Sequence, residues 1–384
     1  MDTQLQAFIE AIHQSPYRLV FVTAGAGSQA LSHLLGVAGA SETLLEAVVP
    51  YSFASFNDFL GYVPQKYVSP KAANLLAGRA LTRARWLEDE ERPVLGIACT
   101  ATIATTRPKK GEHRAHIAVW QPEKVTCYSL YLHKGRRDRA GEEDAVSRVI
   151  LNGLAEACGL AERLDIHWYK RDRLEIKVHD LETAVHQLLD HTVPYLGIYP
   201  DGRIRSSNIN PQILLSGSFN PLHDGHIQMA KAASELLNKP VAFEIPAINA
   251  DKPALAAASV VNRVAQFAGR YPVYITRAPN FIHKARLFPN TVFVIGFDTA
   301  TRILQPRFYG NTLEQRDAAL AELRELNCSL LVAGRVDDDG VFHDCSELPV
   351  PLEYKSLFQG IPDSIFRLDI SSTKLRQTGQ KGSR

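Results

Sequence analysis

The stretch Ile213-Leu214-Leu215-Ser216-Gly217-Ser218-Phe219-Asn220-Pro221-Leu222-His223-Asp224-Gly225-His226 decides how this chain reads. Ile213 to Leu215 is a short apolar run, and from His226 to Leu237 the sequence HIQMAKAASELL suits a helix. The order is therefore strand, glycine-bearing turn, helix. That order suits phosphate chemistry, because glycine lets the backbone come close to an anion and the N–H groups opening a helix point at oxyanions. Asn220-Pro221 forces a turn. His223 and His226 stand three apart across Gly225, so both imidazoles can face one site at the helix start. There they can donate hydrogen bonds to phosphate and stabilise charge that develops in a transfer. The plainer alternative is a Gly/Pro turn carrying two solvated histidines.

About 150 residues further on comes Ile370-Ser371-Ser372-Thr373-Lys374-Leu375-Arg376. It offers hydroxyls and N–H groups at a helix start and a guanidinium one turn later, a second grip for an anion. Taken alone, an ordinary N-cap with a basic first turn explains it equally. Between the two motifs, strand-like and helix-like runs alternate: Val241–Ile245, Ala256–Ala268, Val273–Ile275, Thr291–Ile295, Asn311–Leu326 and Ser329–Ala333. That alternation predicts a parallel sheet with helices on both faces, a Rossmann-like α/β fold.

The Gly217–His226 string resembles the signature of the nucleotidyltransferase superfamily. That superfamily includes nicotinamide and nicotinate mononucleotide adenylyltransferases, phosphopantetheine adenylyltransferases and cytidylyltransferases. The form G-S-F-N-P-x-H-x-G-H is most similar to the mononucleotide adenylyltransferase branch, and Ile370–Arg376 resembles that superfamily's I-S-S-T-x-x-R motif. The resemblance implies transfer of AMP from ATP to nicotinamide or nicotinate mononucleotide, with pyrophosphate released. It implies catalytic roles for His223, His226 and Arg376. It also implies nucleotide contacts from Gly217, from Ser218 and Phe219 through their backbones, and from Ser372 and Thr373 on the phosphates. The loop Pro246–Pro253 matches one that carries a phosphate-binding lysine, which here is Lys252; an exposed loop lysine is the alternative. Gly296-Phe297-Asp298 is similar to a G-x-D segment in which Gly296 admits the adenosine and Asp298 accepts hydrogen bonds from a ribose or amide; a helix N-cap is the alternative for Asp298. Mg²⁺ would arrive with ATP, bridged by phosphate and water oxygens, so no protein metal cage is expected.

The first half opens with a helix-like run, Leu5–Ile12, and an apolar strand, Arg18–Thr23. Ala24-Gly25-Ala26-Gly27-Ser28 then turns into a helix over Gln29–Leu35, and such a turn can either hold a phosphate or serve packing. Further along, Ala72–Trp86 reads as a core helix, Val94–Ala98 as a strand, His113–Trp120 and Lys124–Leu132 as a hairpin, and Glu142–Ala157 as a closing helix. The basic run Lys134–Arg139 reads as solvated surface. The Gly25–Gly27 turn, with Gly39-Ala40-Ser41, Val49-Pro50-Tyr51-Ser52 and Gly96-Ile97-Ala98, resembles the C-terminal domain of the CinA family over residues 1–160. Active members of that family are nicotinamide mononucleotide amidases with A-E-S-C-T-G-G and Y-S-x-x-x-K motifs. Here the nucleophilic serine falls at Ala24, the glutamate at Thr23 and the lysine at Phe56. An alanine has no oxygen with which to attack an amide. The resemblance therefore implies an α/β fold and a remnant nucleotide pocket without amidase activity.

With 384 residues, two domains are expected: a CinA-like domain at 1–160 and a nucleotidyltransferase domain at 211–384, joined by a segment at 161–210. A hydrophobic content of 45% permits full cores, and a net charge of +2 gives no reason to expect nucleic acid or a membrane surface as partner. No apolar run reaches the roughly 20 residues of a membrane helix. Five scattered cysteines without a C-x-x-C pair argue against a disulfide framework or structural zinc. Together with an acidic, amphipathic N-terminus they point to the cytoplasm. Two further readings stay open. One is a non-catalytic pyridine-nucleotide sensor; the other is a transferase for a different phosphorylated acceptor. A homo-oligomer held through the first half is a third expectation.

Overall fold

In a computed structural model, residues 2–107, 110–248, 254–337 and 340–367 are described. The first part of the chain runs α1 (Thr3–His13), β1 (Arg18–Ala24), α2 (Ser28–Gly36), α3 (Ala40–Thr43), β2 (Leu44–Val48), α4 (Phe53–Leu60), α5 (Pro70–Leu87), β3 (Val94–Thr102), β4 (His113–Trp120), β5 (Lys124–Leu132), α6 (Arg139–Ala157) and β6 (Arg173–Asp180). Its six strands lie in the order β2-β1-β3-β4-β5-β6. β1 pairs in parallel with β2 and β3, and the remaining pairs are antiparallel. β1 shows why the sheet has helices on both sides. Leu19 and Phe21 enter a core with α1, α2 and α6, while Val20 and Val22 enter another with α4 and α5. A strand buried on both faces needs such an unbroken apolar run.

The chain continues with α7 (Leu181–Leu189), β7 (Tyr195–Ile198), β8 (Ile204–Arg205), β9 (Ile213–Ser216), α8 (Asp224–Leu237), β10 (Ala242–Pro246), α9 (Ala257–Val264), β11 (Val273–Thr276), α10 (Phe281–Leu287), β12 (Val292–Gly296), α11 (Phe297–Ile303), α12 (Leu313–Glu325), β13 (Ser329–Ala333), β14 (Arg335–Val336), β15 (Phe342–His343) and β16 (Phe358–Ile361). Eight of these strands form a second sheet in the order β16-β13-β12-β9-β10-β11-β7-β8. From β16 to β11 every pair is parallel. The chain moves outward from β9 through β10 to β11, then returns to the other side of β9 to lay down β12. This is the strand order of a dinucleotide-binding α/β sheet, and its direction reverses between β9 and β12. Ile213 and Leu215 face one core, Leu214 the other.

The sheet is not purely parallel. β7 pairs antiparallel to β11, and β8 antiparallel to β7. Both strands come from the 161–210 segment, whose apolar Tyr195–Ile198 run covers an edge that β11 would otherwise expose. The same segment gives β6 to the first sheet, so it is shared between the two.

The halves also touch directly. Ala265 and Ala268, just after α9, are buried in the α5 core. Asn74 on α5 donates to the carbonyl of Asp201 at 2.9 Å. Gly78 lies so close to Gly269 that a Cβ there would sit 2.5 Å from the Gly269 nitrogen. The basic run 134–139 departs from the solvated reading at Arg137. Its guanidinium is buried, pairs with Asp172 at 2.7 Å and stacks over the Tyr169 ring at 4.5 Å.

Candidate active site

The turn between β9 and α8 lies at the carboxyl end of β9, beside the point where the strand order reverses. Gly217 donates its N–H to the carbonyl of Glu244 at 3.0 Å, so this amide serves the sheet and not an anion. The residue must be glycine for a packing reason: a Cβ would stand 2.8 Å from the Phe219 ring. Phe219 adopts φ +42 and is fully buried, its ring edge-on to Phe243 at 5.3 Å, Phe267 at 5.5 Å and His226 at 4.9 Å. Burying such a ring contributes about 1.5–3 kcal/mol and anchors the turn from below.

Three hydrogen bonds hold the turn from the side. Gln266 accepts from the Leu222 N–H at 2.8 Å and donates to the Phe219 carbonyl at 2.9 Å. Arg263 donates to the Ser218 carbonyl at 3.0 Å. Arg263 lies at the end of α9 and Gln266 in the turn just after it, the same stretch that packs on α5 of the first half. The sequence reading passed over Gln266, because a glutamine 44 residues from its partner leaves no local signal.

His223 is the N-cap of α8 and His226 lies in its first turn. Their rings stack at 3.6 Å with an interplanar angle of 26°. The solvated alternative does not hold, since His223 is 6% exposed. The His223 N–H donates to Nδ1 of His226 at 3.2 Å, which leaves the His226 ring proton on Nε2 as a donor. Burial, and then the neighbouring His223, push the His226 imidazole down to about 3; burial lowers His223 as well, against the opposing charge of Asp224. The pair is therefore neutral at physiological pH and offers N–H donors instead of cationic charge. Nδ1 of His223 and Oγ of Ser216 are buried without a hydrogen-bond partner among the described residues.

A cleft opens between the carboxyl end of β9 and α11. Ser216, Gly217, Ser218 and Pro246 line one wall; Asn280, Phe281 and Lys284 line another; Thr299 and Arg302 of α11, with Tyr309, complete it. Lys284 is 4% exposed and pairs with the fully buried Glu244 at 2.6 Å, while Thr276 donates to the other oxygen of Glu244 at 2.6 Å. A charge pair this deep persists only with good geometry and satisfied oxygens. Gly296 is the N-cap of α11, and a Cβ placed on it would meet nothing within 4 Å among the described residues, so the backbone there is open to them. Asp298 is not the N-cap; it lies in the first turn and forms an ion pair with Arg335. Arg302, one turn beyond Asp298 on α11, was legible from helical spacing and was missed. Lys284 was not legible, its partner lying 40 residues away. Lys252, Ser372, Thr373 and Arg376 lie outside the described residues.

The first half's turn is built differently. Gly25 and Gly27 both take positive φ, as expected of a sharp turn. The cradle behind them is already filled. One carboxylate oxygen of Glu143 accepts from the Gly27 N–H at 2.9 Å, the Gln29 N–H at 3.0 Å and the Ser28 hydroxyl at 3.1 Å. Of the two readings of this turn, packing and phosphate binding, the structure favours packing: the chain supplies its own anion there. Thr23 bonds to the Ala26 carbonyl, and Phe56 is buried against Tyr67.

Residues 214–378 match the family model described as cytidylyltransferase-like. This part of the chain is a nucleotidyltransferase-superfamily domain. The match includes the Gly–His turn and, in sequence, Lys252, Ser372, Thr373 and Arg376. No curated protein matches the chain. Among solved structures, the N-terminal part is similar to the competence/damage-inducible protein CihA from Agrobacterium tumefaciens, at 20% identity over 41% of this chain and 98% of that one, with a TM-score of 0.34. It is also similar to a competence or damage-inducible protein from Enterobacter asburiae, at 15% identity over 41% of this chain and 95% of that one, with a TM-score of 0.32. Among the described residues, no group of three or more His, Cys, Asp or Glu could hold a metal ion, and no helix is long and apolar enough to cross a membrane. In the nucleotidyltransferase domain, the paired imidazoles and the open Gly296 backbone therefore lie at the helix starts on either side of the sheet's reversal point.

Proposed function

We propose that this nucleotidyltransferase domain transfers AMP from ATP to nicotinamide or nicotinate mononucleotide, releasing pyrophosphate and forming the dinucleotide, in the cytoplasm. The observation that carries the reading is the neutral, stacked His223–His226 pair at a helix start beside the reversal point of the sheet. In this reading an oxygen of the mononucleotide's 5′-phosphate attacks the α-phosphorus in line, and the bond to the bridging oxygen of pyrophosphate breaks. No covalent enzyme intermediate is needed, so positioning and charge stabilisation supply the rate.

His226 donates from Nε2, and His223 from its own ring, to phosphate oxygens that gain charge in the transition state. Both lie at the positive end of α8, which favours the same oxygens. Gly217 and Ser218 form the rim of the cleft, and Phe219 holds that rim in place from the core. The adenosine lies against the open Gly296 backbone, with Asp298 within the same first helical turn to meet a ribose. Arg376, Lys252, Ser372 and Thr373 supply the remaining phosphate contacts. Mg²⁺ would enter bound to the triphosphate through phosphate and water oxygens.

The aromatic and cationic lining of the cleft, from Phe281, Tyr309 and Arg302, suits a flat pyridine ring with a polar substituent. The sensor reading loses support from the first half, where Glu143 fills the one glycine-rich turn that resembled a phosphate cradle. The deciding experiment measures pyrophosphate release from ATP with nicotinate mononucleotide, nicotinamide mononucleotide, phosphopantetheine and phosphocholine as acceptors. Release with a pyridine mononucleotide is expected. Release only with phosphopantetheine or phosphocholine would move the acceptor, and release with none would remove the enzymatic reading.

A further inference from the structure

β6 ends the first sheet, and its outer edge meets no other strand among the described residues. Its sequence is Arg173-Leu174-Glu175-Ile176-Lys177-Val178-His179-Asp180, and six of the eight residues are exposed. Ile176 is 56% and Val178 52% exposed. These two stand opposite Tyr128 and Thr126 of β5, and Tyr128 belongs to the core beneath α6. The apolar face of β6 thus continues a buried face of the sheet: Leu174 still packs on that core, while Ile176 and Val178 run past what the described residues cover. Exposed edge strands are ordinarily blunted by proline, a bulge, a covering loop or an unpaired charge. β6 has no proline, and its pairing with β5 runs without a register shift.

Its charges do not simply repel a neighbour. They are arranged to match the same strand running the other way. Directly opposed residues of an antiparallel pair share a face. With Ile176 set opposite its own copy, Leu174 meets Val178 twice on one face and Glu175 meets Lys177 twice on the other. Moving the centre to Lys177 opposes two lysines, and moving it to Glu175 opposes two glutamates. A centre between two residues pairs apolar with charged side chains throughout. Of these registers, the one centred on Ile176 satisfies both faces over the longest stretch, and it is symmetric about a two-fold axis. Glu175 lies 3.3 Å from Arg173 within the chain, an exposed contact that a second cation can share. Lys177 forms no ion pair among the described residues.

We infer that β6 is the interface of a homodimer in which two copies pair antiparallel through Leu174–Val178 about Ile176, joining their first sheets into one. The occupant is a second copy because the strand's charge order is complementary to itself. The interface leaves the nucleotidyltransferase cleft untouched, so it stands or falls apart from the proposed reaction.

The test is sedimentation velocity on the full chain across the micromolar range, with Glu175→Lys, Lys177→Glu and the double reversal. The wild type is expected to dimerise reversibly. Each single reversal opposes two like-charge pairs and should weaken association on the order of tenfold, while the double variant, which restores both pairs, returns it to the wild-type range. Both positions are exposed, and unchanged melting curves will show that the variants fold. As an independent readout, oxidised Ile176→Cys is expected to form an intermolecular disulfide, since opposed residues at the two-fold bring their Cα atoms within bridging range. A wild type that stays monomeric overturns the inference. So does a dimer indifferent to the single reversals, or a double variant no better than either single one.

Discussion

Two strands in this chain end in a glycine-bearing turn that opens a helix, one after β1 and one after β9, and they treat an anion in opposite ways. After β1, the N–H groups of Gly27 and Gln29 and the hydroxyl of Ser28 converge on a carboxylate from α6. After β9, the corresponding region carries two neutral imidazoles, a cleft, and a Ser216 hydroxyl with no partner among the described residues. The local sequence signals are alike: apolar run, glycine, small polar residue, helix. What separates them is whether a distant element delivers a negative charge to the helix start. A helix N-terminus is an anion site only while its own chain leaves it open.

The largest expected effect tests the open turn. His226→Ala removes a preorganised donor and should reduce pyrophosphate release on the order of 100- to 1000-fold, while Glu143→Ala leaves that rate within about twofold because it acts in the other half. Equal losses from both variants would break the comparison. Next is the clamp. Gln266→Ala frees both the Leu222 N–H and the Phe219 carbonyl, and turnover should fall by roughly ten- to a hundredfold, with a stability loss of about 1–3 kcal/mol by urea unfolding. A variant that loses stability with full turnover would show that the turn needs no lateral support.

The closed turn makes the third case. Glu143→Ala should cost about 1–3 kcal/mol by leaving three donors without their acceptor. Inorganic phosphate should raise the melting temperature of this variant more than that of the wild type. No extra gain would mean that the emptied cradle is not an anion site at all. The smallest effect is on pH. An unfolded chain protonates the His226 imidazole near its ordinary 6.5, whereas the folded one resists until about 3. Between those values the unfolded state binds more protons, so this residue's contribution to stability is full above 6.5 and declines as pH falls below it. His226→Gln should flatten the wild-type stability curve between pH 6.5 and pH 5, measured by denaturant midpoints. An unchanged slope would place the imidazole in water.

Local pattern read well wherever local physics decides. The hairpin His113–Trp120 and Lys124–Leu132 is found with the bounds expected from its alternation and its Gln121-Pro122-Glu123 turn. The run Ser329–Ala333 is likewise a strand, its apolar residues buried between neighbours on both sides. Errors gather where a partner comes from far along the chain. Arg137 looked solvated until Asp172 and Tyr169 came to meet it. The cap offered as the alternative for Asp298 is taken by Gly296, and Arg335 pairs with the carboxylate. Gly217 looked like an allowance for an anion, and its missing side chain makes room for the Phe219 ring.

By itself the sequence determined the alternation of strands and helices, the two histidines three residues apart and the glycines that let the chain turn, because periodicity and backbone sterics act over a few residues. Only the tertiary structure decided which turn stays open, that the imidazoles stack and are neutral, and that Gln266 joins the turn to the end of α9. Those outcomes depend on burial and on hydrogen bonds between residues dozens of positions apart, and no short stretch of sequence contains both partners.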